Sequence, residues 1–144
     1  MNRRCRVLVC DDQVEFRDLV KVLLRREPNI EVVGEAGDGK EGVDQALKLR
    51  PDVVLMDLNM PELSGLEATR RIRKVSKRIK VLILSAFSGE DVVSPCLEAG
   101  ASGYVQKHRS LSELAEAIVT LRRGGTYLSR NVLDKVSGAH GTIF

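Results

Sequence analysis

Five times along this chain, a short run of β-branched and aliphatic residues gives way to a longer segment whose apolar residues recur at helical spacing. This alternation constrains the fold more than any other feature, because parallel strands need a long crossover connection and a helix supplies it. The runs are Arg6 to Cys10, Ile30 to Glu35, Asp52 to Met56, Lys80 to Leu84 and Gly103 to Gln106. Most are unbroken apolar stretches, as strands covered on both faces require; the second and fifth are the least regular. Phe16, Leu19, Val20, Leu23 and Leu24 fall on one helical face, and Leu111, Leu114, Ala115 and Ile118 repeat the pattern. Ser88 with Asp91 and Ser110 with Glu113 have capping-box spacing, Asp38 precedes a helix running to Leu49, and Pro51 and Gly100 close two helices. Pro95 falls inside the Glu90 to Ala99 helix, where it removes a hydrogen bond and should bend or shorten it. Right-handed crossovers then give an α/β fold, a doubly wound five-stranded parallel sheet with helices on both faces.

Composition narrows the class. The chain has 144 residues, 43% apolar, with 23 Lys and Arg against 20 Asp and Glu. That suits one domain with a sizeable core and argues against a disordered or fibrous chain. No uncharged apolar stretch reaches the roughly 18 residues of a membrane helix, and the run Val7 to Cys10 is too short for a signal peptide, so a cytoplasmic protein is expected. Cys5, Cys10 and Cys96 form no C-x-x-C pair and read as structural thiols. After Arg123 the pattern stops, and residues 124–144 read as a Gly/Ser-rich linker with room for a short helix from Arg130 to Val136.

In an open parallel sheet, ligands sit beyond the carboxyl ends of the strands. The residues there are Asp11 and Asp12 after the first strand, Asp57 after the third, Ser85 after the fourth and Lys107 after the fifth. Three crowded carboxylates repel one another, and a hard divalent cation such as Mg²⁺ relieves that repulsion while keeping a position open for a phosphoryl oxygen. Lys107 adds a point charge and Ser85 a donor, and a carboxylate can itself become an acyl phosphate. The set is equipment for phosphoryl transfer.

These residues carry a resemblance. Val7-Leu8-Val9-Cys10-Asp11-Asp12, Met56-Asp57-Leu58-Asn59-Met60-Pro61 with Gly65, Leu84-Ser85-Ala86 and Gly103-Tyr104-Val105-Gln106-Lys107 resemble, in order and spacing, the receiver domains of two-component response regulators. The likeness covers about residues 5 to 123, and the wording from Gly34 to Gly39 and from Leu97 to Tyr104 resembles the NarL/FixJ (LuxR-type) branch of transcription regulators. It implies a flavodoxin-like (βα)5 domain over residues 1–123 with strand order 2-1-3-4-5. By the same resemblance Asp57 accepts a phosphoryl group from a sensor histidine kinase with Mg²⁺ bound. Asp12 and Asp57 would hold the metal by carboxylate, Asn59 by its backbone carbonyl and Asp11 through water. Lys107 would pair with the phosphoryl oxygens, Ser85 would move to hydrogen-bond one of them, and small Ala86 would leave the approach open. Tyr104 matches the aromatic whose ring turns inward as Ser85 moves, repacking the face of the fourth helix, fifth strand and fifth helix (the α4-β5-α5 face) where active members dimerise. No catalysis is expected beyond its own phosphorylation and slow dephosphorylation.

Two residues depart from the family pattern: Ser85 stands where many members have Thr, and Pro95 puts the fourth helix and the dimer face in question. The branch's DNA-binding helix-turn-helix is expected to be absent, since only 17 residues follow Tyr127. The wording Tyr127-Leu128-Ser129 resembles the linker start of full-length members and favours a fragment over a stand-alone receiver. Two rival functions are a small phosphohydrolase using Asp57, which Asn59 leaves without a second acid, and a constitutive dimerisation module with a relic site. Gly34 to Lys40 fits part of a P-loop but continues into Glu41 and carries Glu35 and Asp38 where phosphates would lie. The basic run Arg70 to Lys80 contains no aromatic and reads as a solvated face, and His108 as a loop side chain.

Overall fold

The computed structural model describes residues 3–108, 111–130 and 132–134. The chain runs β1 (Cys5–Cys10), α1 (Val14–Arg25), β2 (Ile30–Ala36), α2 (Gly39–Leu49), β3 (Val53–Met56), α3 (Gly65–Val75), β4 (Lys80–Ser85), α4 (Glu90–Glu98), β5 (Gly103–Gln106), a 3-10 turn (Leu111–Glu113), α5 (Leu114–Arg122) and β6 (Tyr127–Leu128). All strands pair in parallel in the order β2-β1-β3-β4-β5-β6. The doubly wound, flavodoxin-like sheet of the sequence reading is present, and each of the five expected strands lies within a residue of its expected bounds.

Side-chain alternation along the strands makes two cores. Leu8, Val54, Met56, Val81 and Ile83 face α2, α3 and α4, meeting Ala46, Ala68, Ile72, Val93 and Cys96. Val7, Val9, Val53, Leu55 and Leu82 face α1 and α5, meeting Phe16, Val20, Leu24, Ala117, Ile118 and Leu121. Burying each such aliphatic contributes about 1.5–3 kcal/mol, so the sheet is fixed from both faces. The three cysteines are buried and free; burial pushes the thiols of Cys5 and Cys96 up to about 11, and that of Cys10 up as well.

Helix starts divide into those the sequence marks and those it does not. Asp38 Oδ1 accepts from Glu41 N at 2.7 Å at the head of α2, and Ser64 Oγ accepts from Glu67 N at 3.2 Å at the head of α3. The expected Ser88 cap on α4 is corrected: Gly89 is the N-cap, its carbonyl accepting from Val92 and Val93, while Ser88 lies a residue too early and is buried. Ser110 lies outside the described residues, and α5 starts after the 3-10 turn with Glu113 as an N-cap whose side chain makes no capping hydrogen bond. Helix α4 continues through Pro95 and stops at Glu98, where Gly100 at φ 110° supplies the left-handed residue that ends it.

The segment after Arg123 does not simply leave the domain. Tyr127–Leu128 adds a sixth strand beside β5, Ser129 N donates to Tyr104 O at 3.1 Å, and Val132 is fully buried in the same core as Tyr104. A two-residue strand is too short to show a period, which is why the linker reading missed it. Arg130 and residues 132–134 are helical; the rest of the expected Arg130 to Val136 helix lies outside the described residues.

The P-loop-like stretch and the basic run both contribute to local packing and turn geometry. Gly34 lies within β2 where a Cβ would come 2.7 Å from Leu49 Cδ1, so it serves helix α2. In the basic run, Arg70 and Arg71 pair with Glu67, and Arg73 Nη1 donates to the carbonyls of Lys77 and Ile79, closing the α3–β4 turn. Among the described residues no helix is long and apolar enough to cross a membrane.

Candidate functional site

Backbone bonds place the site before any side chain does. The ladder runs one residue past the strands: Asp11 N donates to Ala36 O at 3.0 Å, Asp57 N to Cys10 O at 3.0 Å, and Lys107 N to Ser85 O at 2.6 Å. The expected residues thereby share one edge of the sheet.

Ligand oxygens of Asp11, Asp12 and Asp57 lie within 4.8 Å of one another; Asp11 and Asp57 are buried and Asp12 is exposed. At that separation each carboxylate pair repels by about 3 kcal/mol for an effective dielectric near 20, and one ammonium cannot offset all of it. Burial, then the charges of Asp11 and Asp12, push the Asp57 carboxyl up to about 6, against the pull of Lys107 and the backbone N–H of exposed Asn59. Asp11 Oδ1 accepts from Gln13 N at 2.9 Å. Its buried Oδ2 makes a charge contact with Lys107 Nζ at 2.6 Å but no aligned hydrogen bond. A buried carboxylate oxygen without an aligned donor, beside two more carboxylates, fits a hard divalent cation such as Mg²⁺ in its charge and its oxygen donors.

Lys107, itself buried, lies 3.9 Å from Asp57 Oδ2, 3.4 Å from Gln13 Oε1 and 4.2 Å above the centre of the Phe16 ring. Gln13 and Phe16 were not among the residues singled out from the sequence; Phe16 registered only as one member of an apolar helix face.

Two glycines bring helices onto the loop that carries Asp57. A Cβ at Gly65 would sit 1.9 Å from Asp57 O, and one at Gly39 would sit 1.8 Å from Leu63 O. These are backbone atoms with no room to give, so α2 and α3 start close to residues 57–64 only because both positions lack a side chain. Both glycines stood in the sequence wording that carried the resemblance, Gly65 with the Asp57 motif and Gly39 at the end of the Gly34 to Gly39 stretch; their close approach to backbone was not legible there.

Beside the acidic cluster, buried Ser85 accepts through Oγ from Phe87 N at 3.1 Å, and Tyr104 donates through its hydroxyl to Phe87 O at 2.7 Å. The Tyr104 ring is fully buried, and burial pushes its hydroxyl up to about 12. Ala86 is exposed, and its carbonyl accepts from Gln106 Nε2 at 3.2 Å. His108 is exposed, with its backbone at φ 69°.

A parallel sheet of this order with acidic residues after β1 and β3, a hydroxyl after β4 and a lysine after β5 defines a class of signalling domain, and comparison with known proteins names it. Residues 7–119 match the family model of the response regulator receiver domain, and the chain belongs to that family. It is 42% identical over 131 residues to the transcriptional regulatory protein LiaR of Bacillus subtilis, covering 91% of this chain and 62% of that protein. To the transcriptional regulatory protein DegU of Brevibacillus brevis it is 40% identical over 129 residues, covering 90% of this chain and 55% of the relative. Among solved structures, a LuxR-family two-component response regulator from Aurantimonas superposes with a TM-score of 0.91 at 32% identity, over 96% of this chain and 99% of the other. The signal receiver domain of a NarL response regulator from Mycobacterium tuberculosis superposes with a TM-score of 0.82 at 31% identity, over 85% and 99% of the two chains. The chain is thus a receiver domain of the LuxR/NarL type and spans less than two thirds of the length of the curated relatives named here.

Proposed function

We propose that this chain is a phosphorylation-controlled switch in which Asp57 takes a phosphoryl group from the phosphohistidine of a sensor kinase. The observation that carries the reading is the convergence of buried Asp57 and Lys107, 3.9 Å apart, on the same sheet edge as two further aspartates and Ser85. A carboxylate oxygen of Asp57 forms the new O–P bond as the P–N bond to the histidine breaks, and the imidazole leaves with that electron pair and takes up a proton. Asp11, Asp12, Asp57 and the Asn59 carbonyl are the ligands we assign to Mg²⁺, which when bound neutralises phosphoryl charge. Lys107 meets the phosphoryl oxygens, Ser85 exchanges its Phe87 N–H bond for one to the phosphoryl group, and exposed Ala86 leaves the path open. Through the Tyr104–Phe87 hydrogen bond that exchange reaches the face of α4, β5 and α5. Output follows as dimerisation through that face, in the cytoplasm, controlling transcription through a DNA-binding helix-turn-helix domain.

The test is intact-mass spectrometry after incubation with Mg²⁺ and acetyl phosphate. A single phosphoryl adduct is expected, absent without Mg²⁺ and absent from Asp57→Ala; no adduct and no release of free phosphate overturns the reading.

One observation favours a second reading, a constitutive module. Tyr104 is already fully buried with its hydroxyl bonded, the position the resemblance assigns to the switched state. Sedimentation separates the two: equal self-association with and without a phosphoryl mimic supports the constitutive module, and mimic-dependent association supports the switch.

A further inference from the structure

Lys107 is a buried cation whose surroundings are unusually specific. Its ammonium has Asp11 Oδ2 at 2.6 Å, Gln13 Oε1 at 3.4 Å and Asp57 Oδ2 at 3.9 Å, and its remaining side is closed by the face of Phe16 at 4.2 Å. Gln13 is the N-cap of α1 and Phe16 lies in its first turn, where Phe16 N donates to Gln13 O, so one helix start supplies both contacts. His108 meets the Phe16 ring edge-on, with centroids 5.5 Å apart and planes at 73°, which fixes the tilt of the ring. Packing α1 onto the sheet asks only for an apolar side chain at Phe16, as Val20 and Leu24 show one and two turns further along. An aliphatic there would fill the volume but present no negative charge density to the ammonium, whereas an aromatic face does.

We infer that Phe16 is a positioning residue of the phosphoryl site: its ring seats the Lys107 ammonium between Asp11 and Asp57, so that the charge is in place when a phosphoryl group arrives. This rests on the reading of Asp57 as phosphoacceptor. A long lysine stem has several rotatable bonds, and an ammonium without this seat divides its time between the site and solvent. Of the charged groups at the site it is Lys107 that lies over the ring, which sets a specific signature: loss of the ring weakens phosphoryl capture through Lys107 rather than through the carboxylates that hold the metal.

The experiment measures the initial rate of adduct formation from acetyl phosphate in Mg²⁺, as a function of donor concentration, for the full chain and three variants. A cation–π contact at a desolvated site corresponds to about a 5- to 30-fold effect, so Phe16→Leu is expected to lower kcat/KM by that factor. Phe16→Tyr retains the face and should stay within about 2-fold of the parent. Phe16→Leu added to Lys107→Ala should cause no further loss, because the ring has nothing left to position. Mg²⁺ affinity by calorimetry and the thermal midpoint report whether Phe16→Leu keeps the fold and the carboxylates. Equal rates for Phe16→Leu and the parent, or the same fractional loss in the Lys107→Ala background, overturn the inference.

A second measurement is independent of phosphorylation. The Lys107 ammonium lies 4.2 Å over the ring centre, so the adjoining ε-methylene protons should show an upfield ring-current shift in the parent and in Phe16→Tyr that disappears in Phe16→Leu; no such shift in the parent overturns the inference. A parent that takes no adduct while showing the shift overturns the phosphoacceptor reading and leaves the seating of Lys107 by the ring supported.

Discussion

Gly65 shows how much the site depends on what a residue lacks. In an ordinary helix, replacing Gly by Ala gains about 0.5–1 kcal/mol, because the backbone loses less freedom. Here the sign reverses, since the added Cβ would come within 1.9 Å of the Asp57 carbonyl and 2.9 Å of Leu58 Cα, neither of which can swing aside. Gly65→Ala is therefore expected to destabilise the domain by about 2–3 kcal/mol in urea unfolding and, on the proposed function, to slow adduct formation, because the loop that carries Asp57 must move. A neutral or stabilising effect would show that α3 can back away from the loop. Nothing in the sequence around Gly39 carries the same information, because its clash is with Leu63 O, in the loop between β3 and α3.

At the scale of elements, the short strand β6 and the residues just beyond it change the character of the fifth strand. Without them β5 would be an exposed edge next to a buried tyrosine. With them, Ser129 bridges to both Tyr104 O and Gln106 N, Tyr127 donates to Glu113 Oε1 at 2.6 Å, and Val132 is fully buried against the core that holds Tyr104. A valine in a linker can be trimmed at no cost, whereas removing two buried methyl groups costs about 1.5–2.5 kcal/mol. Val132→Ala should shift the urea midpoint accordingly; an unchanged midpoint would mean the segment does not hold its place in solution. The site and the C-terminal segment meet at Tyr104, whose hydroxyl donates to the loop after Ser85 and whose carbonyl accepts from Ser129, and at Gln106, which donates to both Ala86 O and Ser129 Oγ.

For the molecule as a whole, the acidic edge is a stability cost that function retains. The folded Asp57 carboxyl, pushed up to about 6, lies above its value of 3.8 in an unfolded chain, so between those values the folded protein binds more protons. The contribution of Asp57 to the stability of the metal-free protein then falls as pH rises through that window, with its whole penalty present at pH 7. Asp57→Asn removes the charge and keeps the shape. Thermal unfolding in chelator should find the variant more stable at pH 7 by about 1–2 kcal/mol, allowing for screening by Lys107 and solvent, with the gain shrinking toward pH 4. Mg²⁺ should raise the midpoint of the parent and leave the variant nearly unmoved. A variant less stable than the parent at pH 7 would mean that the charge of Asp57 is fully compensated in the fold.

Local spacing along the chain was enough to establish the five strands, the cap at Asp38 and the ends at Pro51 and Gly100, and hence which residues stand at strand ends. That works because a parallel sheet with right-handed crossovers leaves little freedom in where those ends go: once the period is read, Asp11, Asp12, Asp57, Ser85 and Lys107 must share an edge. What the tertiary structure alone decided is which side chains meet across that edge. Lys107 and Gln13 are 94 positions apart, and nothing in either neighbourhood encodes their contact or the ring of Phe16 beneath the ammonium. The same holds for Gly39 against Leu63, the Gly89 cap in place of Ser88, and β6 beside β5, each settled by close packing between elements whose own sequences are silent about their neighbours.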